Sequence, residues 1–152
     1  MSGAGDKEPV SDMERRKARE TVMTLLFERE FKPEEDPKTT VRLAEDCREA
    51  ETDDYVEDVY FGVQEKRAEI DALIAARAIG WKTKRMSKLS LTVLRMAIYE
   101  MKYRTDIPFS VAINEAVELT KTYDGDKAPA FVNGILNGVA EDLGLKNGEK
   151  KG

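Results

Sequence analysis

Apolar residues in this chain recur every three to four positions over most of its length, and no useful stretch alternates apolar with polar. A 3.6-residue period lines up one helix face, whereas a half-buried strand needs a period of two. The chain is therefore expected to be all-α, with no tandem repeat. Ala18, Val22, Leu25 and Leu26 mark a first helix from about Met13 to Phe31, with Asp12 placed as its cap and Pro33 just beyond its end. Beyond the acidic loop Lys32 to Lys38, the residues Val41, Leu43, Ala44 and Cys47 define a short second helix. Thr52 or Asp53 then caps a long third helix, whose stripe runs Val56, Val59, Tyr60, Val63, Ile70, Leu73 and Ile74 and ends near Gly80. Trp81 to Met86 has room for one helical turn. Leu91, Leu94, Ala97, Ile98 and Met101 line the next long helix, which stops before Thr105-Asp106. Pro108 suits a helix start, where its missing donor costs nothing. Phe109, Ala112, Ile113, Ala116, Val117, Thr120 and Tyr123 face one side of the helix that follows. Ala128, Val132, Ile135, Leu136, Val139 and Leu143 build the last one.

The C-cap signal at Gly80-Trp81 coincides with a change from acidic to basic composition, which divides the chain into subdomains 12–80 and 81–145. Residues 1–11 and 146–152 read as a flexible leader and tail.

Composition removes whole classes of chemistry. Without a single histidine, no Ser-His-Asp or Cys-His nucleophile and no imidazole zinc site can form. The lone cysteine, Cys47, cannot close an intramolecular disulfide, and the amino end lacks a secretory layout, so a cytoplasmic setting is expected. No apolar run approaches the roughly 20 residues that cross a bilayer. The carboxylate pairs Asp53-Asp54, Glu57-Asp58 and Asp124-Asp126 sit on polar surface, with no apolar pocket to tune them for acid–base work. Asp124-Gly125-Asp126 also lacks the other ligands of a calcium loop, and no glycine-rich phosphate loop exists. The reading is a binding module, not an enzyme, with no cofactor or metal.

Net charge is −5, yet it is unevenly spread. From Lys82 to Arg104 seven cations (Lys82, Lys84, Arg85, Lys88, Arg95, Lys102, Arg104) face only Glu100, while acids crowd Glu34 to Asp58, so a strong field asymmetry is expected. Arg15, Arg16, Lys17 and Arg19 occupy the first turns of helix one, where the macrodipole disfavours cations; a compensating group outside the helix is called for. Arg16, Arg19, Met23 and Phe27 fall on one stripe, read as an exposed cationic and aromatic ridge suited to single-stranded RNA. The bland alternative is a solvated face on which Glu14, Glu20 and Glu28 pair with the cations. Asn114, Glu118 and Lys121 project away from the apolar stripe of their helix. Phe131 either fills a seam or offers a stacking surface. Gly134 and Gly138, on the outer side of the last helix, invite close approach of another backbone, internal or from a partner.

Taken together and in order, Arg15 to Arg19, Leu94-Arg95-Met96-Ala97-Ile98-Tyr99-Glu100, Asp106-Ile107-Pro108, Val111 to Leu119 and Phe131-Val132-Asn133-Gly134-Ile135-Leu136 resemble the NusB family of transcription antitermination factors. The likeness runs from about Glu14 to Leu143. It implies about seven helices in two small packed bundles. It also implies binding to boxA-type RNA of ribosomal operons, jointly with the small-subunit ribosomal protein NusE, in a complex that acts on elongating RNA polymerase. Carried over by position, the RNA surface comprises Arg15, Arg16, Lys17 and Arg19 with Phe27 on the same ridge, and Arg95, Lys121, Tyr123 and Phe131 from the C-terminal part. Lys127 stands in a loop where some relatives carry an acid and would add phosphate attraction. The acidic loop Glu34 to Asp36 and the leader before Ser11 depart from the pattern. An alternative within the likeness is a scaffold that homodimerises and masks its arginine segment.

Overall fold

The structure, a computed structural model, describes residues 12–32, 34–39, 42, 54–78 and 86–146. These form six long helices: α1 (Asp12–Phe31), α2 (Asp54–Glu65), α3 (Arg67–Arg77), α4 (Lys88–Tyr103), α5 (Phe109–Tyr123) and α6 (Ala128–Asp142). Residues 37–39 add a helical turn, and no strand occurs among the described residues. The architecture is all-α, as the periodicity requires. The expected helix through Val41, Leu43, Ala44 and Cys47 and the boundary at Gly80-Trp81 lie outside the described residues, as do the leader and all but the first residue of the tail.

Helix α4 organises everything else. α1, α2, α3, α5 and α6 all pack on it, α1 also against α2, α5 against α6, and α3 against α6, so the bundles share one central helix. Every residue from Thr92 to Met101 is consequently buried. This widens the stripe expected for α4: Val93, Met96 and Tyr99 are buried along with Leu94 and Ile98, because the middle of a helix packed all round has no solvent face. Burial of each large side chain such as Leu94 or Ile98 contributes about 1.5–3 kcal/mol. Two charged side chains, Arg95 and Glu100, are enclosed along with them.

The long third helix of the sequence reading is broken in two at Lys66, which has φ −98° and ψ 14°. Neither glycine nor proline marks the break. The stripe nonetheless holds across it, with Val56, Val59, Tyr60, Val63, Ile70 and Ile74 all in the core. Gly62 lets α2 approach α4 closely, since a Cβ there would fall 2.3 Å from the Tyr99 ring.

Local chemistry sets the helix ends. Ser87 caps α4 by accepting from the Ser90 amide at 2.9 Å, and both Ser87 and Ser90 hydroxyls donate to Asp124 at the end of α5. Burial would raise the Asp124 carboxyl, but these bonds and the Gly125 amide outweigh it and hold it below its ordinary range. Asp124 therefore ties two helix termini together. α6 ends in Gly144 at φ 77°, where the Leu145 amide reaches the Ala140 carbonyl and the Gly144 amide that of Glu141. That pairing is a Schellman stop, and it needs the left-handed conformation glycine adopts freely. Gly138 is buried rather than outward: a Cβ there would lie 2.7 Å from Arg77 Cδ, so the close approach is an internal crossing with α3. Gly134 is exposed.

The predicted field asymmetry is largely cancelled among the described residues. Arg95 bonds Asp71 and Glu30, Lys102 pairs with Glu69 at 2.8 Å, and Arg104 bonds Asp58 and Asp106. Acids of α1, α2 and α3 fold directly onto cations of α4 and of its C-cap, Arg104. Lys82, Lys84 and Arg85 lie outside the described residues.

Candidate nucleic-acid interface

The first turns of α1 lie against α4 and, through long side chains, against α5. Arg16 is 56% exposed at its side chain and donates from Nε and Nη2 to both oxygens of Glu115 on α5, at 3.0 and 2.9 Å. One turn further on, Glu20 accepts from the Tyr123 hydroxyl at 2.9 Å. Tyr123 itself is 48% exposed, so an open aromatic face borders the seam. Lys17 is exposed, and Lys121 is exposed and 3.4 Å from Glu118, whose charge also reaches Arg16. Lys127 is exposed at the N-cap of α6, on the loop that follows α5.

Arg15 is half-buried, its guanidinium 4.5 Å from the centre of the Tyr55 ring, and its Nε is enclosed without an acceptor among the described residues. A cation over an aromatic face is held by the ring quadrupole. Arg104 approaches the same ring at 5.3 Å and Arg19 at 5.8 Å. Tyr55 is thus the floor on which three guanidinium groups gather.

Arg19 requires a correction. Read as part of an exposed ridge, it is only 5% exposed and donates from Nε and Nη2 to the two oxygens of Glu100, both at 2.9 Å. Glu100 also accepts from the Tyr55 hydroxyl. Burial works against the Arg19 charge, and the hydrogen bonds and charge of Glu100 more than offset it. The Tyr55 phenol is pushed well above its ordinary value by burial and then by the nearby Glu100 charge. Met23, on the same expected ridge, is core. The ridge fails because α1 is covered by both α2 and α4, which closes over a wider arc than the Ala18–Val22 stripe.

Arg95 is the second correction. It is 7% exposed and fastened to Asp71 and Glu30 near the carboxyl end of α1, so it offers no open surface. Phe27 is half-buried and meets exposed Phe31 edge-on at 5.1 Å, more than two turns from the arginines. Phe131 is partly buried against the core, the packing alternative of the two considered. The structure thus brings Arg16 and Tyr123 together across the α1–α5 seam, leaves Lys17 and Lys121 exposed on those two helices, stacks Arg15 on Tyr55, buries Arg19 beneath the seam, and sets Arg95, Phe27 and Phe131 apart.

Glu100, Glu115, Tyr55 and Arg104 escaped the sequence reading as site residues. A signal existed for the acids: cations in the first turns of a helix need outside compensation, and Glu100 and Glu115 provide it. Among the described residues no group of His, Cys, Asp and Glu could hold a metal ion, and no helix is long and apolar enough to cross a membrane.

Fold and seam together define a class: small all-helical proteins of two packed bundles that present a cationic, tyrosine-bordered strip. The NusB family model matches residues 16–141. A transcription antitermination protein NusB of Ruminiclostridium cellulolyticum is 45% identical over 85% of this chain and 90% of its own length. One from Bacillus pumilus is 41% identical over 86% of this chain and 98% of its own. The chain belongs to the NusB family. Among solved structures, T. maritima NusB superposes with a TM-score of 0.73 at 32% identity, covering 90% of this chain and 93% of that one. A chain from a crystal structure of antitermination factors NusB and NusE in complex with double-stranded RNA gives a TM-score of 0.74 at 21% identity, covering 87% and 99%, a likeness of fold.

Proposed function

We propose that this protein is a transcription antitermination factor that binds boxA-type single-stranded RNA together with NusE and catalyses no reaction itself. The observation that carries the reading is the start of α1, where exposed Arg16 reaches α5 through Glu115, Lys17 is exposed beside it, and one turn on Glu20 meets the open ring of Tyr123. Guanidinium and ammonium groups suit phosphates, and an exposed ring suits an unpaired base. Lys121 and Lys127 extend the strip along α5 and into the loop before α6. Arg19 contributes by fixing the helix on which these groups stand, and Arg95 by fastening α3 and α1 to α4. The relatives' shared role and the NusB–NusE–RNA assembly of a fold neighbour support the partners. The bound complex acts on elongating RNA polymerase in the cytoplasm.

The test is direct binding to a boxA-like oligoribonucleotide and to a scrambled control, each with and without NusE. Tighter binding to the boxA-like RNA, strengthened by NusE, is the expected result. Equal affinity for both RNAs under both conditions would overturn the reading.

A further inference from the structure

This inference rests on the RNA-binding reading above and concerns Glu115, which the family resemblance leaves without a role. Its carboxylate fills the fork of Arg16, with Nε 3.0 Å from Oε1 and Nη2 2.9 Å from Oε2, and lies 3.8 Å from Nη1 of Arg19. Arg19 is already matched by Glu100. Two cations and two carboxylates therefore cancel in the middle of the segment that must attract phosphate. A carboxylate and a phosphodiester present a guanidinium with the same pair of acceptor oxygens in the same plane. They cannot occupy one edge together.

We propose that Glu115 is an internal competitor for the RNA backbone: it holds the Arg16 fork in the free protein, and a phosphodiester must displace it to bind. The Arg16–Glu115 pair is solvent-exposed on the arginine side, so it is weak enough to exchange. Hydrogen bonding from Arg16 keeps the Glu115 carboxyl below its ordinary range. Displacement weakens every RNA alike. Its consequence is a raised affinity threshold, which holds strands contributing phosphates alone below appreciable occupancy while strands that also stack and pair at base edges pass it.

The test measures dissociation constants for a boxA-like and a scrambled oligoribonucleotide over a range of ionic strengths. It compares the natural protein, Glu115→Gln, Arg16→Gln and the double variant. Glu115→Gln should bind both RNAs about threefold more tightly, the scale of an exposed ion pair. That gain should shrink in the Arg16→Gln background, where only the loss of one negative charge remains. Glu115→Asp, whose shorter arm cannot span the fork, should gain less in the same direction and guards against a glutamine that disturbs packing. Thermal unfolding checks that each variant is folded. Unchanged or weaker binding by Glu115→Gln, or an equal gain with and without Arg16, would overturn the proposal for Glu115 alone. If the natural protein shows no preference for the boxA-like RNA, the functional reading itself falls, whatever Glu115 does.

Discussion

Arg16 and Arg19 stand three residues apart on one helix and make the same two-pronged bond to a glutamate, yet they are different devices. Arg19 is sealed with Glu100 beside Tyr55, whereas Arg16 is open to solvent where it meets Glu115. A buried ion pair must be kept whole because each partner, left alone, is an uncompensated charge out of water. An exposed one can be exchanged at little cost, since water and salt stand in for the partner. The pair of arginines thus separates what holds α1 in place from what α1 offers to a ligand.

The largest effect should follow from breaking the sealed pair. Arg19→Met leaves Glu100 enclosed without its main partner and should lower stability by about 3–5 kcal/mol in urea unfolding. Removing the charge on both sides, as Arg19→Met with Glu100→Met, should recover much of that loss, because two well-filled apolar groups replace the desolvated ions. A double variant as unstable as the single one would show that the lost packing, not the orphaned charge, is responsible.

Tyr55 comes next, since its hydroxyl donates to Glu100 and its ring carries the guanidinium groups of Arg15 and Arg104. Tyr55→Phe keeps the ring and loses the bond, a change of about 1.5–3 kcal/mol for a charged acceptor. Its pH signature has a definite sign. The folded-state phenol is raised above its ordinary value of 10, so its contribution is complete below pH 10 and is lost as pH rises through the folded value. Tyr99, raised by burial and by its bond to Asp58, acts in the same direction. Stability should therefore fall above pH 10, and Tyr55→Phe should flatten part of that slope. An unaltered alkaline limb would mean that Tyr55 is not the titrating group.

The contrast between the two arginines also marks where sequence reasoning stops. Helices α1, α4, α5 and α6 were legible from apolar spacing, because a 3.6-residue stripe must find a core. The exposed fate of Arg16 and Lys17 was legible too. The fate of Arg19 was not: it sits at the edge of the Ala18–Val22 stripe, and what encloses it is a glutamate 81 residues away in the chain. The available hint was Glu100 itself, one acid in the otherwise apolar run Ala97 to Met101, which could be buried only with a partner. Arg95 carried the same hint and was read as surface because its two acids come from α1 and α3. The break at Lys66 had no local mark, since lysine is a good helix former and the turn serves the path of α2 and α3 over α4.

Arg15 lies between the extremes, half-buried and stacked on Tyr55. Arg15→Ala should cost about 0.5–1 kcal/mol through the lost cation–π contact, visible as a small shift in the urea midpoint. Arg15→Lys should retain RNA affinity better than stability, because an ammonium still meets phosphate but does not lie flat on the ring. Equal losses in both would erase the distinction between stacking and phosphate attraction at this position.

Arg16 should have the smallest effect on the fold. Arg16→Ala removes a solvated side chain and one partner of a carboxylate that water can reach, so the unfolding midpoint should stay where it is. Binding should respond instead: one phosphate contact fewer lowers the slope of log affinity against log salt by about 0.7 for a single strand, and the weakening should be similar for boxA-like and scrambled RNA. Run beside Arg19→Met, the experiment sorts the two arginines on separate axes, stability for one and salt-dependent affinity for the other. If Arg16→Ala instead destabilised the protein as Arg19→Met does while leaving the salt slope intact, the exposed pair would be structural after all. The RNA strip would then have to be sought among Lys17, Lys121 and Lys127.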